Sequence, residues 1–168
     1  MRIGMSRNES LGQNALGAQR VVHDDVYTAL SSVHSMYPGF ERWFWGKVVP
    51  DLSGARSIFL DWHAGGITGV IIAKRSYNER KLCTVWVDER YRDRGIASCL
   101  INEACEWLAT DHPMITIPRS RLASFAGILR SGRFVQTQAL DSYYRHGEAE
   151  FVFNGWLPPS GHSRSLNA

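Results

Sequence analysis

Residues 81–118 read KLCTVWVDERYRDRGIASCLINEACEWLATDHPMITIP, and the order of patterns in this run decides the fold. In RKLCTVWV (80–87) apolar side chains fall at both parities, with Leu82 and Trp86 on one face and Cys83, Val85 and Val87 on the other. That distribution predicts a central strand covered on both sides. From Gly95 to about Ala109, Ile96, Leu100, Ala104 and Leu108 recur every fourth residue, and Ala97 and Ile101 widen the stripe. This is the spacing of an amphipathic helix. MITIP (114–118) then predicts a short buried strand. If the two strands are parallel neighbours, the helix between them makes a right-handed crossover.

Outward from this unit, Asp24 is a good N-cap for a helix reaching about Met36, with Val26, Leu30 and Val33 on one face. AQRVV (18–22) reads as a short first strand ending near Val22. The YPG step breaks the first helix, and FERWFWGKVV predicts a second one ending at Pro50. Three adjacent aromatics, Trp43, Phe44 and Trp45, span most of a helix circumference and cannot all face the core. SIFLDWH and ITGVIIAKR flank AGG, a β-hairpin signal because glycine accepts the positive φ of a tight turn. After MITIP come a helix near RLASFAGILRSG, ended by Gly132, and an antiparallel pair, RFVQTQAL and EAEFVFNG. The expected fold is one α/β domain (an α+β mixed sheet) over 19–155. A polar arm (1–18) precedes it and a loose tail (156–168) follows it.

Composition narrows the classes. The chain has 168 residues, 44% hydrophobic and 21% charged, which suits one globular domain. No apolar run approaches the roughly 20 residues of a membrane span, and the N-terminus lacks a secretory apolar core, so a cytoplasmic protein is expected. Cys83, Cys99 and Cys105 show no ligand spacing. Plain buried or semi-buried thiols are expected, with neither disulfide framework nor metal site. Net charge is only +3, although Arg119, Arg121, Arg130, Arg133 and Arg145 face the single acid Asp141 between positions 119 and 145. That local excess suits either solvated arginines or a polyanionic partner such as nucleic acid.

The basic turn ERYRDRGIAS (89–98) precedes the helix. The first N–H groups of a helix lack internal acceptors and carry partial positive charge. Gly95 permits close approach to the backbone, and Arg92 and Arg94 can add charge-assisted hydrogen bonds, whereas Arg90 reads as solvated. The turn is either a pyrophosphate cradle or a capped turn facing water. It is neither a Walker A loop nor a GxGxxG fingerprint.

VDERYRDRGIASCL resembles the acetyl-CoA loop of the GNAT family of N-acetyltransferases, whose pattern Arg/Gln-x-x-Gly-x-Gly/Ala reads here Arg92, Asp93, Arg94, Gly95, Ile96, Ala97. The order of elements agrees over about residues 19–155. The resemblance implies a central, mostly antiparallel sheet with a splayed parallel pair, flanked by helices. It implies that Val85, Trp86 and Val87 bond the pantetheine arm of acetyl-CoA through their backbone, and that Arg92 to Ser98 (with Asp93, Arg94, Gly95, Ile96 and Ala97) hold the pyrophosphate. The activity implied is direct attack of an amine on the acetyl thioester, with an oxyanion donor near Val87 and no metal.

Many members protonate the thiolate with a tyrosine in a Tyr-x-x-x-Gly-Phe pattern. Aligning Phe134 with that phenylalanine puts Leu129 at the tyrosine position and Arg133 at the glycine. The chain departs from the family there, which leaves Tyr143 and Tyr144 in the last loop, and Tyr144 is the candidate acid. The base stays open among Asp61, His63, Glu148 and Glu150, with Asp88 and Glu89 capping the loop or facing solvent. The expected acceptor is a small-molecule primary amine. The alternatives are a protein or aminoacyl-tRNA acceptor, or a non-catalytic CoA-binding module. A homodimer paired through the last strands is also common among relatives.

Overall fold

The computed structural model describes residues 22–63 and 65–158. The expected arm, most of the AQRVV strand and the tail beyond Pro158 lie outside these residues. Val22 already belongs to a helix, α1 (22–29), so that helix opens before Asp24, not at it. A turn at Leu30 separates α1 from α2 (Ser31–His34), and Gly39, at φ +84°, starts α3 (Phe40–Trp43). The second predicted helix does not run on regularly. It widens into a π-turn, Phe44–Val48, and tightens into a 3-10 turn, Val49–Asp51. The change of pitch buries both Trp43 and Phe44 and leaves Trp45 at the rim.

Six strands form one mixed sheet: β1 (Arg56–His63), β2 (Gly66–Arg75), β3 (Arg80–Val87), β4 (Met114–Pro118), β5 (Gln136–Asp141) and β6 (Ala149–Phe153), in the order β1-β2-β3-β4-β6-β5. All neighbours are antiparallel except β3 and β4. Helix α4 (Ile96–Leu108) joins those two, and α5 (Leu122–Leu129) follows β4. Leu100, Ile101, Ala104, Cys105 and Leu108 of α4 cover one face of the sheet together with α5. The helices of residues 22–52 cover the other face through Val26, Leu30, Val33, Phe40, Trp43 and Phe44. The cysteines are half-buried or buried, as expected.

One strand departs from its expected pattern. On β3, Leu82 and Val85 share the α4 face, while Cys83 and Trp86 share the opposite one. Simple alternation would have paired Leu82 with Trp86. The cause is a bulge: Ile72 pairs with Thr84 and Ala73 with Leu82, so Cys83 is an extra residue that shifts the parity. The predicted loose end is also partly fixed. Leu157 is buried, and its backbone N–H donates to Gln138 Oε1 at 2.7 Å while its carbonyl accepts from Gln138 Nε2 at 3.2 Å.

Candidate active site

The parallel pair meets only at Lys81 with Met114 and Leu82 with Ile115. Beyond those rungs, just where the bulge re-aims the chain, β3 keeps its bonds to β2 but has no strand partner on its other side among the described residues. A notch therefore opens between Cys83–Val87 and Thr116–Pro118. Val85, Trp86 and Val87 run along it, and their free edge is backbone. The Trp86 ring itself turns away and donates Nε1–H to Ser32 Oγ at 3.2 Å.

The basic turn stands at the mouth of this notch. Asp88 Oδ1 accepts from the Arg90 backbone N–H at 2.9 Å and so caps a 3-10 turn, Glu89–Tyr91. The Arg90 side chain is 80% exposed, solvated as expected, and pairs with the same carboxylate at 2.8 Å. These bonds hold the Asp88 carboxyl down to about 2. Arg92 lies 3.3 Å from Glu89, and the Arg94 guanidinium sits 5.1 Å from the centre of the Tyr91 ring. The Tyr91 ring meets His63 of the β1–β2 hairpin edge-on at 5.4 Å. His63 is exposed.

Asp93 (φ 60°) and Gly95 (φ 79°) both adopt left-handed backbone, which turns the chain sharply into α4. No side chain caps α4. The N–H groups of Ile96, Ala97 and Ser98 thus emerge uncapped beside Arg92, Asp93 and Arg94. A Cβ at Gly95 would meet nothing within 4 Å, so its backbone faces open space. Uncapped donors, open space and arginines together fit a pyrophosphate, as a capped turn facing water would not.

A cavity of about 230 Å³ adjoins the notch, with walls from both faces of the sheet. Tyr37, Phe40, Trp43, Lys81, Thr84, Thr116, Arg121, Phe125 and Tyr144 are among its walls. Lys81, only 7% exposed, donates Nζ–H to Tyr144 Oη at 3.5 Å. Burial works against the Lys81 charge, but Tyr144, Cys83 and Glu79 outweigh it and the pKa is raised. Burial raises the Tyr144 phenol, against the pull of Lys81, so it is protonated at neutral pH. An ammonium can only donate, so it occupies a lone pair of Tyr144 and leaves the hydroxyl hydrogen free to point elsewhere. Burial likewise raises the Cys83 thiol, which also lies in the cavity wall. At the family tyrosine's position, Leu129 packs into the α4-side core and offers no acid.

The open choice of base narrows. Asp61 accepts from Thr68 Oγ1 at 2.5 Å at the hairpin bulge, and Glu148 accepts from the Ser120 backbone N–H at 3.0 Å. Glu150 is fully buried, and neither of its carboxylate oxygens has a hydrogen-bond partner among the described residues. Burial and the neighbouring Glu148 push it up to about 7, against Lys81 and Arg145. Its place was legible in part, since Glu150 shares the parity of buried Val152 in an otherwise apolar strand. Lys81 carried no sequence signal of comparable strength, because the bulge that exposes its surroundings is not written in the residue pattern.

A group with a raised pKa stabilises the fold below its ordinary value, and that stability is lost as pH rises through the folded value. Between 4.5 and about 7 the Glu150 contribution falls by on the order of 3 kcal/mol. Glu150→Gln is therefore expected to gain that much stability over the wild type on moving from pH 4.5 to pH 8. Urea unfolding at both pH values checks it, and parallel curves for the two proteins would refute it.

Arg119 and Arg121 precede α5, while Arg130 and Arg133 follow it, and Arg133 donates to Cys105 Sγ at 3.3 Å. No group of metal-ligating side chains occurs among the described residues, and none of their helices is long and apolar enough to cross a membrane.

Comparison with known proteins agrees with this geometry. An aminoglycoside 6'-N-acetyltransferase complexed with coenzyme A superposes with a TM-score of 0.59 at 12% identity, over 89% of this chain and 98% of that one. Ard1 from Thermoplasma volcanium gives 0.58 at 20%, over 78% and 90%. A Bacillus anthracis protein described as a streptothricin acetyltransferase, in complex with acetyl coenzyme A, gives 0.53 at 20%. That match covers 60% of this chain and 61% of the Bacillus protein, so the chain spans less than two thirds of its length. No curated protein sequence matches. These likenesses concern the fold, but residues 22–117, over half of the chain, match the acetyltransferase (GNAT) family. The notched sheet, the uncapped α4 terminus and this match lead to one conclusion: the chain belongs to the GNAT family of acetyltransferases.

Proposed function

We propose that the chain is an acetyl-CoA-dependent N-acetyltransferase that moves the acetyl group to a primary amine of a small molecule by direct attack. The observation that carries this reading is the notch between β3 and β4, with unpaired donors at its mouth and an aromatic-walled cavity beside it. In this reading Val85, Trp86 and Val87 bond the pantetheine arm through their free edge. Arg92 to Ser98 hold the pyrophosphate, and the thioester lies near the bulge. Tyr144 donates its proton to the leaving thiolate, oriented by Lys81. A raised Cys83 thiol is a poor nucleophile at neutral pH, which favours direct transfer over an acyl-cysteine step. A cavity of about 230 Å³ suits a small amine, and arginines divided between the two ends of α5 speak against one polyanion-binding face.

The test is thiol release from acetyl-CoA in the presence of spermidine, kanamycin or free lysine, beside calorimetric CoA binding. The loop is tested with Gly95→Glu, which sets a carboxylate among the donors at the cost of roughly 1–2 kcal/mol of left-handed backbone strain. CoA binding is expected to weaken at least about 100-fold, because a repelling charge replaces open backbone in a site that gains from bidentate phosphate contacts. The domain should stay folded by circular dichroism. Binding within threefold of wild type would remove the loop from the site.

A further inference from the structure

We propose that Glu150 is the group that receives the acceptor's ammonium and takes its proton, a catalytic role for the last strand of the sheet. The proposal rests on the transferase reading above.

Three features of Glu150 carry it. The side chain is fully buried, and both carboxylate oxygens lack any donor among the described residues. A buried acceptor is ordinarily satisfied, and leaving one bare is costly, so an orphan carboxylate marks a place where the partner comes from outside. Its position is the second feature. Glu150 pairs across β6 with Pro118 of β4, which belongs to the cavity wall, and shares the face of Val152 rather than the α4 face taken by Phe151 and Phe153. The third is its set of neighbours. Tyr37, from the segment after α2, and Tyr144, from the β5–β6 loop, both line the cavity and both interact electrostatically with Glu150. Lys81 from β3, Arg145 from the same loop and Glu148 before its own strand complete the charged and titratable surroundings. Its β5 partner, Leu140, contributes no charge.

The chemistry balances. An acceptor amine arrives as an ammonium with three N–H bonds. The ionised Glu150 takes one proton, freeing the nitrogen lone pair to bond the thioester carbonyl carbon. The C–S bond breaks with its electron pair on sulfur, and the thiolate takes the Tyr144 hydroxyl proton. The tyrosinate recovers a proton from the nitrogen, which keeps its last hydrogen as the amide. Glu150 returns its proton to water. A base titrating near neutrality is ionised often enough to act, yet basic enough to remove a proton.

The experiment compares wild type with Glu150→Gln and Glu150→Asp, using spermidine, kanamycin and free lysine as acceptors. It reads kcat/KM from pH 5.5 to 9.5, the CoA dissociation constant and thermal melting. In the wild type, kcat/KM is expected to fall tenfold per pH unit below about pH 7. Glu150→Gln should lose about 10²–10³-fold at pH 7.5, the range for removing a general base. It should lose that acid limb as well, and recover towards pH 9.5 as the amine deprotonates unaided. Its CoA binding should be unchanged, and it should stay folded, melting at pH 7.5 no lower than the wild type. Glu150→Asp should keep a limb with reduced rate. Glu150→Gln within threefold of wild type, or with the acid limb intact, would overturn the assignment. Wild type that binds CoA yet transfers to none of the amines would instead sink the underlying reading, before any variant is made.

Discussion

Tyr144→Phe is expected to lower kcat by about 10²–10³-fold at pH 7.5, the range for removing a general acid. The CoA dissociation constant should stay within twofold. The separation follows from where the hydroxyl sits. It lines the cavity beyond the bulge, away from the loop of Arg92 to Ser98, and its one hydrogen bond among the described residues is the long one from Lys81. Because burial keeps the phenol protonated and Lys81 occupies an oxygen lone pair, the hydrogen is free for an approaching thiolate. Removing the oxygen also strips the buried Lys81 Nζ of that acceptor, which should cost roughly 1–3 kcal/mol of stability. The variant should therefore melt earlier as well as turn over slowly, by calorimetry and steady-state kinetics with acetyl-CoA saturating. Normal kcat with a lowered melting temperature would make Tyr144 a packing residue and leave the acid elsewhere in the cavity wall. Normal values of both would remove its bond to Lys81 from consideration too.

The second large effect is expected far from any reacting atom, at Gly69. A Cβ built there would stand 2.7 Å from Ile96 Cγ2 and 2.8 Å from Leu100 Cδ1. Gly69 pairs with Val87 on β3, so this bare spot on the sheet seats the first turn of α4 directly behind the notch. Leu100 can give at its branch tip, but Ile96 Cγ2 is attached at a branched Cβ with a stiff χ1 and cannot swing aside cheaply. Gly69→Val should push the helix off the sheet and destabilise the domain by about 1–3 kcal/mol, the usual penalty for overpacking. Since Ile96 is the first residue of α4, the shift should also misplace the N–H groups of residues 96–98. CoA binding is expected to weaken by about tenfold, one lost charge-assisted hydrogen bond's worth. Gly66→Ala, where a Cβ meets nothing within 4 Å, serves as the control and should bind CoA normally. Calorimetric titration at a temperature where both variants are folded reads the effect. Unchanged affinity in Gly69→Val would mean that the terminus of α4 does not set the donors' aim.

What the sequence disclosed and what it concealed divide along a physical line. The strand over 80–87, the helix from Gly95, the hairpin around Gly65 and the final antiparallel pair follow from periodicity and turn chemistry, which act over a few residues. Features set by the fit between distant segments were hidden. The Cys83 bulge depends on the register with β2, so alternation placed Trp86 on the wrong face. The π-turn at Phe44–Val48 lets two neighbouring aromatics share the core, a choice that a uniform 3.6-residue pitch cannot represent. Arg90 is solvated as read, but its two-residue bite on Asp88 depends on a 3-10 turn visible only in three dimensions. The candidate site shows the same split. The loop proposed for the pyrophosphate is contiguous and was legible by its resemblance. Lys81, Tyr144 and Glu150 come from a strand, a loop and another strand 63 positions or more from the first. The sequence offered Glu150 only as one of several carboxylates. Its bare oxygens distinguish it, and they belong to the fold.

The two rungs that join β3 to β4 have a mechanical consequence. Strands β1-β2-β3 and β4-β6-β5 form two ribbons hinged along a short seam, with α4 as a strap across it. In most sheets the central seam is the stiffest part; here it is the least bonded. Any molecule that bridges the open stretch contributes the missing cross-links, so occupancy and rigidity rise together by mass action, by about 2.7 kcal/mol at a concentration 100 times its dissociation constant. A ligand seated along that open stretch would join the two ribbons, so its binding and the stability of the sheet would rise as one cooperative unit.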